Sequence, residues 1–305
     1  MEVYKVIPRG FCAGVRNALN IVEQSLLQYG KPIYVRHEIV HNRHIIERLK
    51  SQGIIFIEEL DEIQNISRPV IFSAHGVSET VKQQAKNMKL LSIDATCPLV
   101  NVVHQQIKKL EAENAEIIVI GKPSHPEIIG TIGQIINQDK VHVISSLQEA
   151  KSLDISKDAK IGIVTQTTLS IDDTKDIMLF LRNRFSNIVN YSKINICFAT
   201  TNRQKAIQKL VELTPNIIII GSKNSSNSTH LKEAALHYGA KQAWLIDDYT
   251  ELDLDKIDEC ESVGISAGAS APEYLVDELI DFFEHRYNNI NISDVTVFKE
   301  NTRFK

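Results

Sequence analysis

Short runs of aliphatic and β-branched residues alternate along the chain with longer stretches whose apolar positions recur at helical spacing. The strand-like runs are PIYVR, IIFI, PVIFS, EIIVIG, VHVIS, IGIVT, NIIIIG, AWLID and SVGISA. The helical stretches between them include NALNIVEQSLLQYG, NVVHQQIKKLEAENA and RQKAIQKLVEL. Apolar strands that alternate with amphipathic helices are typical of parallel sheets with helices on both faces. The pattern therefore predicts an α/β fold with mostly parallel sheets.

Polar positions within this alternation repeat three times. A cysteine stands directly before a helical stretch in GFCAGV (Cys12), DATCPL (Cys97) and NICFAT (Cys197). About 30 residues after each cysteine a strand ends in a polar turn, and two strands further on a second polar turn precedes another helix. The residues at the centres of these turns are His41, His125 and Asn227 in the first set and His75, Thr167 and Ser270 in the second. A fixed period of this kind indicates a repeated architecture.

The repeat predicts three α/β domains of similar length followed by a tail. Their ranges are 1–95 with Cys12, 96–193 with Cys97, 194–283 with Cys197, and 284–305 for the C-terminal tail. The segments NMKLLSID (87–94) and SNIVNYSK (186–193) are predicted linkers. Three copies can close into a pseudo-threefold trefoil, in which equivalent cysteines would point at one shared axis.

Composition narrows the classes of protein that fit. Hydrophobic residues make up 43% of the 305 positions, and the net charge is −4, which argues against a broad nucleic-acid surface. The N-terminus lacks the pattern of a signal peptide, and no apolar run approaches the ~20 residues needed to cross a bilayer. We therefore expect a cytoplasmic protein that acts away from membranes, whose four cysteines serve metal or redox chemistry rather than disulfides.

Three thiolates at a common centre would repel one another unless a metal or cluster lay between them. The fourth cysteine, Cys260, lies at no repeated position, and we interpret it as a bystander. Structural zinc and iron–sulfur sites usually take four protein ligands, so three ligands favour a metal centre with one open position. The alternative is that all four cysteines are small buried apolar residues.

The polar turns are rich in neutral hydrogen-bonding groups that suit an anion with many oxygens, such as a phosphate or diphosphate. They comprise His41, His75, His125, Thr167, Thr168, Ser225, Ser226, Asn227 and Ser270. Nucleotide binding is disfavoured, since neither a Walker-type loop nor a G-x-G-x-x-G motif is present. Glu127, two residues after His125, is a candidate general acid because of the polar turns around it; taken alone, it would be interpreted as an acidic residue of the first turn of the next helix, where the helix dipole favours it.

Nine motifs resemble, in order, those of the 4-hydroxy-3-methylbut-2-enyl diphosphate reductase family, which catalyses the last step of the methylerythritol phosphate route to isoprenoids. They are GFCAGV, HEIVHN, SAHGV, DATCPLV, GKPSHPEIIGTIGQ, VTQTTLS, ICFATTNRQ, GSKNSSNS and SAGASAPE. The resemblance runs from Val6 to about Phe283. It implies a monomeric oxidoreductase that removes the allylic hydroxyl of its substrate to give isopentenyl and dimethylallyl diphosphate.

The resemblance also implies a role for each repeated position. A 4Fe–4S cluster would bind to Cys12, Cys97 and Cys197, with one iron open to substrate. The substrate diphosphate would bind to a set of neutral residues, namely His41, His75, His125, Ser225, Ser226, Asn227 and Ser270. Thr168, from the polar turns, is a further predicted substrate-binding residue. Glu127 would deliver protons with Thr167, and electrons would come from a ferredoxin or flavodoxin, since the chain has no flavin or nicotinamide motif. Two alternatives stay open: a metal-bound sensor or carrier of a phosphorylated metabolite, and a structural zinc protein.

Overall fold

The computed structural model describes residues 1–189 and 195–304. Within these ranges the strands are β1 (Glu2–Ile7), β2 (Ile33–Arg36), β3 (Ile54–Ile57), β4 (Val70–Phe72), β5 (Ser92–Asp94), β6 (Glu116–Ile120), β7 (Val141–Ile144), β8 (Lys160–Thr165), β9 (Asn187–Ile188), β10 (Asn216–Ile220), β11 (Gln242–Ile246), β12 (Ser262–Ala267) and β13 (Asn291–Thr296). Each of the nine strand-like runs in the sequence overlaps one of these strands, so those predictions are confirmed.

The helices in the same ranges are α1 (Ala13–Tyr29), α2 (Arg43–Ser51), α3 (Glu79–Asn87), α4 (Pro98–Ala112), α5 (Pro126–Ile132), α6 (Leu147–Ser152), α7 (Ile171–Arg184), α8 (Phe198–Val211), α9 (Ser226–His237), α10 (Leu254–Asp258) and α11 (Tyr274–Arg286). Short 3-10 turns cover Leu60–Glu62 and Tyr249–Glu251. No helix in the described ranges is both long and apolar enough to span a bilayer.

The strands form three parallel sheets with a common strand order. Sheet I is β3-β2-β4-β5, sheet II is β7-β6-β8-β9, and sheet III is β11-β10-β12-β1-β13. All their strand pairs are parallel. In each sheet the first strand of the repeat lies between the second and the third, and a fourth strand follows the third. The predicted α/β fold with parallel sheets is confirmed.

The fourth strand of each sheet comes from outside the run of three strands that it completes. Strands β5 and β9 precede Cys97 and Cys197, and sheet III takes its fourth strand from the N-terminus as β1, which precedes Cys12. The segment 87–94, interpreted from sequence as a linker, therefore contains strand β5, whereas 186–193 lies partly outside the described residues. Because β1 pairs with β12, a repeat counted along the chain does not coincide with one sheet.

The described residues divide into two compact units. The first unit consists of Met1–Arg16, His41–Glu47 and Phe198–Lys305, and it contains sheet III. The second unit consists of Asn17–Val40 and Arg48–Cys197, and it contains sheets I and II. The domain boundaries at 95, 193 and 283 stay a prediction.

The core of the first unit explains why its central strand is apolar at consecutive positions. Ile217 and Ile219 of β10 pack into one buried cluster, and Ile218 and Ile220 pack into another. Successive side chains of a strand point to opposite faces, so both faces of sheet III are covered. Each fully buried isoleucine contributes roughly 1.5–3 kcal/mol to folding. This burial fixes the strand ends from which the polar residues project.

Candidate functional site

The three repeated cysteines share one backbone hydrogen bond. The N–H of Cys12 donates to the carbonyl of Ala269 at 3.1 Å, that of Cys97 to Ala74 at 3.0 Å, and that of Cys197 to Thr167 at 3.0 Å. Each acceptor lies two residues beyond the end of the third strand of its sheet, after β12, β4 and β8 respectively. The repeat that the sequence predicts at the cysteines is thus present in the backbone, and every one of these bonds lies within a single unit.

Each of these cysteines also stands at the N-terminus of a long helix. Cys97 is the N-cap of α4, with Pro98 in the first turn, and the carbonyls of Cys12 and Cys97 accept the first helical hydrogen bonds at 3.0 Å. The backbone N–H of Val15 donates to Sγ of Cys12 at 3.4 Å. Unpaired N–H groups of a first helical turn are donors to sulfur, so the backbone is suited to hold a thiolate at these positions.

Cys260 has a different environment. Its thiol donates to the carbonyl of Lys256 at 3.2 Å, at the end of the short helix α10. Burial, and to a smaller extent the charge of Glu259, raise the pKa of this thiol above its ordinary value. A cysteine that keeps its proton is a poor metal ligand, which agrees with its interpretation as a bystander.

The donor set suits an iron–sulfur cluster. Cys12, Cys97 and Cys197 are half-buried cysteines outside any disulfide, and they follow the same backbone pattern, whereas Cys260 does not. Thiolates are the usual protein ligands of such clusters. Across 1–189 and 195–304, no group of three His, Cys, Asp or Glu side chains is arranged to hold a single metal ion. The sharing of one cofactor by the three sulfurs stays a prediction.

Within the second unit, the strands of sheets I and II bring two of the predicted histidines together. The rings of His75 and His125 meet edge to face, with centroids 5.6 Å apart. His125 is the N-cap of α5, and its Nδ1 accepts a hydrogen bond from the backbone N–H of Glu127 at 3.1 Å. In its neutral form, the ring of His125 therefore carries its proton on Nε2. The hydroxyl of Ser73 lies 3.3 Å from Nδ1 of His75. These rings can present N–H donors to an anion.

Glu127 and Thr167 form a buried pair in the same unit. Thr167 donates to both carboxylate oxygens of Glu127, from its backbone N–H at 2.7 Å and from its hydroxyl at 2.9 Å. Glu127 is 2% exposed, and burial raises its pKa to about 7, although the two bonds from Thr167 act in the opposite direction. A carboxyl group with such a pKa holds a proton near neutral pH and can give it up, as a general acid must.

The neighbouring Thr168 is held by a residue that the sequence analysis does not single out. Gln166 is fully buried, and its amide donates to the Thr168 hydroxyl at 2.9 Å. Its carbonyl oxygen accepts from the backbone N–H of Lys122 at 3.2 Å. Gln166 therefore ties the turn after β8 to the turn after β6. A buried glutamine between two polar turns is a signal that only the fold makes visible.

The remaining predicted residues lie in the first unit, where separate local hydrogen bonds hold them. Ser225 is the N-cap of α9, and its hydroxyl lies 3.3 Å from that of Ser270. The Ser270 hydroxyl also donates to the carbonyl of His41 at 2.9 Å. Asn227 accepts from the backbone N–H of Ala269 at 2.8 Å. Ser226, also buried, lies 3.3 Å from Nδ1 of His230.

The segment that carries His41 has anchors that sequence reasoning missed. The guanidinium of Arg43 donates to Asp248 at 3.2 Å, and Nε2 of His44 lies 3.0 Å from the same carboxylate. The backbone N–H of Arg43 donates to the Ser222 hydroxyl at 3.2 Å. These partners are about 180 to 205 positions away in the chain, so no local pattern indicates them.

Comparison with known proteins gives evidence on the function that does not depend on the geometry of the site. A family model described as LytB protein matches residues 3–284. The 4-hydroxy-3-methylbut-2-enyl diphosphate reductase of Phenylobacterium zucineum is 45% identical over 305 residues, covering 100% of this chain and 96% of that protein. The protein of the same name from Enterobacter sp. (strain 638) is 47% identical over 281 residues, covering 92% and 88%. The solved E-1-hydroxy-2-methyl-but-2-enyl-4-diphosphate reductase from Plasmodium falciparum superposes with a TM-score of 0.93 at 33% identity, covering 99% and 94%.

Proposed function

This chain belongs to the LytB protein family, and on that premise we propose that it is a 4-hydroxy-3-methylbut-2-enyl diphosphate reductase. The reaction is a reductive dehydroxylation: the substrate's allylic C–O bond breaks, two electrons and two protons enter, and the oxygen leaves as water. Protonation of the allyl anion at either end gives isopentenyl or dimethylallyl diphosphate. The observation that carries this assignment beyond anion binding is the buried Glu127–Thr167 pair, since a carrier protein needs no interior proton donor.

Three cysteines, one from each predicted repeat (1–95, 96–193 and 194–283), hold a 4Fe–4S cluster in this proposal. They are Cys12, Cys97 and Cys197, and their common backbone hydrogen bond supports treating them as one set. When bound, such a cluster supplies electrons and one iron without a protein thiolate, which acts as a Lewis acid toward the leaving oxygen. Ligation by free thiolates requires a reducing compartment, so we place the protein in the cytoplasm.

The diphosphate is bound by neutral donors rather than by a cluster of lysines and arginines. The proposed set is His41, His75, His125, Thr168, Ser225, Ser226, Asn227 and Ser270. Support comes from the Ser225-capped N-terminus of α9, whose first-turn N–H groups suit phosphate oxygens, and from the paired rings of His75 and His125. Binding energy from the diphosphate holds the allylic carbon in place for reduction.

Protons reach the substrate through Glu127 and Thr167. With its pKa raised to about 7 by burial, Glu127 is partly protonated at neutral pH. Thr167 keeps the carboxyl group oriented through two hydrogen bonds, and its hydroxyl can hold the substrate hydroxyl in turn. The carboxyl group is shielded from bulk water, because Glu127 is 2% exposed.

Electrons come from a separate carrier of the ferredoxin or flavodoxin type, and the chain works as a monomer. The experiment that tests the function is an anaerobic assay of the reconstituted protein with dithionite-reduced methyl viologen and 4-hydroxy-3-methylbut-2-enyl diphosphate. We expect both five-carbon diphosphates as products and a brown, iron-containing protein. Tight diphosphate binding without turnover would support the sensor alternative, and a colourless zinc-loaded protein would support the structural one.

A further inference from the structure

A fully buried arginine links residues 8–12, which we call the Cys12 loop, to Glu300. Arg203 lies on α8 and is 0% exposed. Its Nε and Nη2 donate to the carbonyl of Gly10 at 3.2 and 2.8 Å, and its Nη1 donates to the carbonyl of Ala199 at 2.9 Å. Gly10 is two residues before Cys12, and Ala199 is two residues after Cys197. One guanidinium thus holds backbone next to two of the three proposed cluster ligands.

The counter-ion of this arginine comes from Glu300. Both carboxylate oxygens of Glu300 accept from Nη1 of Arg203, at 3.1 and 3.2 Å, and Oε1 also accepts from Asn202 at 3.1 Å. Glu300 is itself about nine-tenths buried, with 10% of its side chain exposed. A guanidinium is always charged and is costly to bury without a partner, so the burial of Arg203 depends on the carboxylate of Glu300.

Glu300 lies in a C-terminal segment, residues 297–300, which we call the strap. The backbone N–H groups of Val297 and Phe298 donate to the carbonyl of Ile7 at 2.8 and 3.3 Å. The ammonium of Lys205, on α8, lies 5.8 Å from the centre of the Phe298 ring. The strap therefore runs along the end of β1 and reaches α8. It lies beyond residue 284, where the family match ends, so that match assigns it nothing.

Hydrogen bonds to both its N–H and its carbonyl restrict the backbone of Gly10. Its N–H donates to the carbonyl of Ala267 at 3.1 Å, while its own carbonyl accepts from Arg203. Gly10 has a φ of 65°, and a Cβ there would lie 3.2 Å from the carbonyl oxygen of Ala271, so only glycine suits the turn. The position of Cys12 follows from this turn, because only one residue separates the two.

We propose that Glu300 is a positioning residue: through Arg203 it fixes the Gly10 carbonyl and thereby holds the Cys12 loop in the conformation that binds the cluster. This rests on the proposed function, since it concerns a cluster ligand. The strap is then part of the metal centre although it contributes no ligand to it. Groups that orient ligands without touching the metal commonly contribute about ten- to hundredfold to affinity.

The test compares Glu300→Gln with Glu284→Gln, an exposed carboxylate on α11, in the full-length chain. We expect hydrogen–deuterium exchange in the peptide over 8–14 to become faster in Glu300→Gln, both with and without iron, and to stay at the wild-type rate in Glu284→Gln. We also expect anaerobic loss of iron to a chelator to become about ten- to hundredfold faster in Glu300→Gln alone. Exchange in 8–14 equal to that of the control would overturn the proposal.

A second variant separates positioning from general stability. Arg203→Met with Glu300→Gln removes both charges, so no unpaired charge is buried and the melting temperature should recover toward wild type. Exchange in 8–14 should stay fast, because nothing then holds the Gly10 carbonyl. A return of that peptide to the wild-type rate, or an equal rise in all peptides of Glu300→Gln, would contradict a positioning role. Wild-type protein that takes up no iron would refute the proposed function, while the exchange of the iron-free chain would still decide the role of Glu300.

Discussion

Thr167 donates hydrogen bonds to both carboxylate oxygens of Glu127, at 2.7 Å from its backbone and at 2.9 Å from its hydroxyl. The two residues are 40 positions apart, and they meet because β6 and β8 are neighbours in sheet II. Burial raises the pKa of the carboxyl group, and both bonds from Thr167 lower it. The resulting value of about 7 keeps the group able to hold and release a proton under neutral conditions.

Glu127→Gln should abolish proton delivery while leaving the site intact. The amide is nearly the same shape as the acid but has no acidic proton, so we expect turnover to fall by about two to four orders of magnitude. Iron content and diphosphate affinity should change little. Anaerobic kinetics and calorimetric binding of inorganic diphosphate measure the two effects, with Glu278→Gln on the exposed face of α11 as the control. Full activity in Glu127→Gln would favour the carrier function instead.

The rate should depend on pH in the direction set by Glu127. An acid acts in its protonated form, so kcat should fall as pH rises through about 7. Thr167→Ala removes the hydroxyl bond that lowers the pKa, and it should move the midpoint of this fall to higher pH. Thr167→Ser keeps the hydroxyl and should leave the midpoint in place. A pH–rate profile of the three proteins checks this, and a downward shift in Thr167→Ala would be inconsistent with the pair as described.

His104 should make the fold sensitive to acid. It is 2% exposed on α4, its Nε2 is buried without a hydrogen-bond partner among residues 1–189 and 195–304, and burial lowers its pKa from 6.5 to about 4. A histidine whose folded pKa is depressed stays neutral in the fold but takes a proton when unfolded, so stability is lost as pH falls below 6.5. His104→Leu should therefore reduce the loss of unfolding free energy that occurs between pH 7 and pH 5.

Chemical denaturation at the two pH values measures this effect of His104. Leucine leaves no polar nitrogen unpaired, so stability at pH 7 should be equal or higher in the variant. His285→Gln is the matched control, because that ring is exposed and should contribute little to the difference. An unchanged acid sensitivity in His104→Leu would assign the effect to other groups.

Asp248 should matter for substrate binding through the segment that carries His41. Asp248→Asn weakens the contacts with Arg43 and His44, so His41 should be held less firmly. We expect KM to rise about tenfold, the equivalent of about 1.4 kcal/mol, with a much smaller change in kcat. Steady-state kinetics separates the two parameters, and Asp253→Asn, partly exposed at the start of α10, is the comparison. A fall in kcat with constant KM would place Asp248 in the chemistry rather than in binding.

The sequence predicts the strands that consist of aliphatic runs and misses the shorter or more polar ones. The run at Asn216–Ile220 is apolar at four consecutive positions because both faces of sheet III are covered at this strand. Strand β9 has only two residues, and β13 (Asn291–Thr296) is largely exposed or half-buried, so neither has a hydrophobic signal. The exchange of β1 into sheet III is a long-range pairing that local patterns do not encode.

The candidate site shows the same division. Spacing along the chain is enough to nominate the cysteines, because the repeat places each one at the same strand-to-helix junction. The residues that hold the site together could not be nominated in this way. Arg203 bonds to Gly10 across 193 positions, and Asp248 bonds to Arg43 across 205, so their partners become visible only when the sheets are assembled.

Iron content of the anaerobically reconstituted protein and its four Cys→Ser variants tests the central claim most directly. We predict about four irons per wild-type chain, near-complete loss in each of Cys12→Ser, Cys97→Ser and Cys197→Ser, and no change in Cys260→Ser. Equal losses in all four variants, or a loss of only about a third in each of the first three, would contradict a single shared cluster.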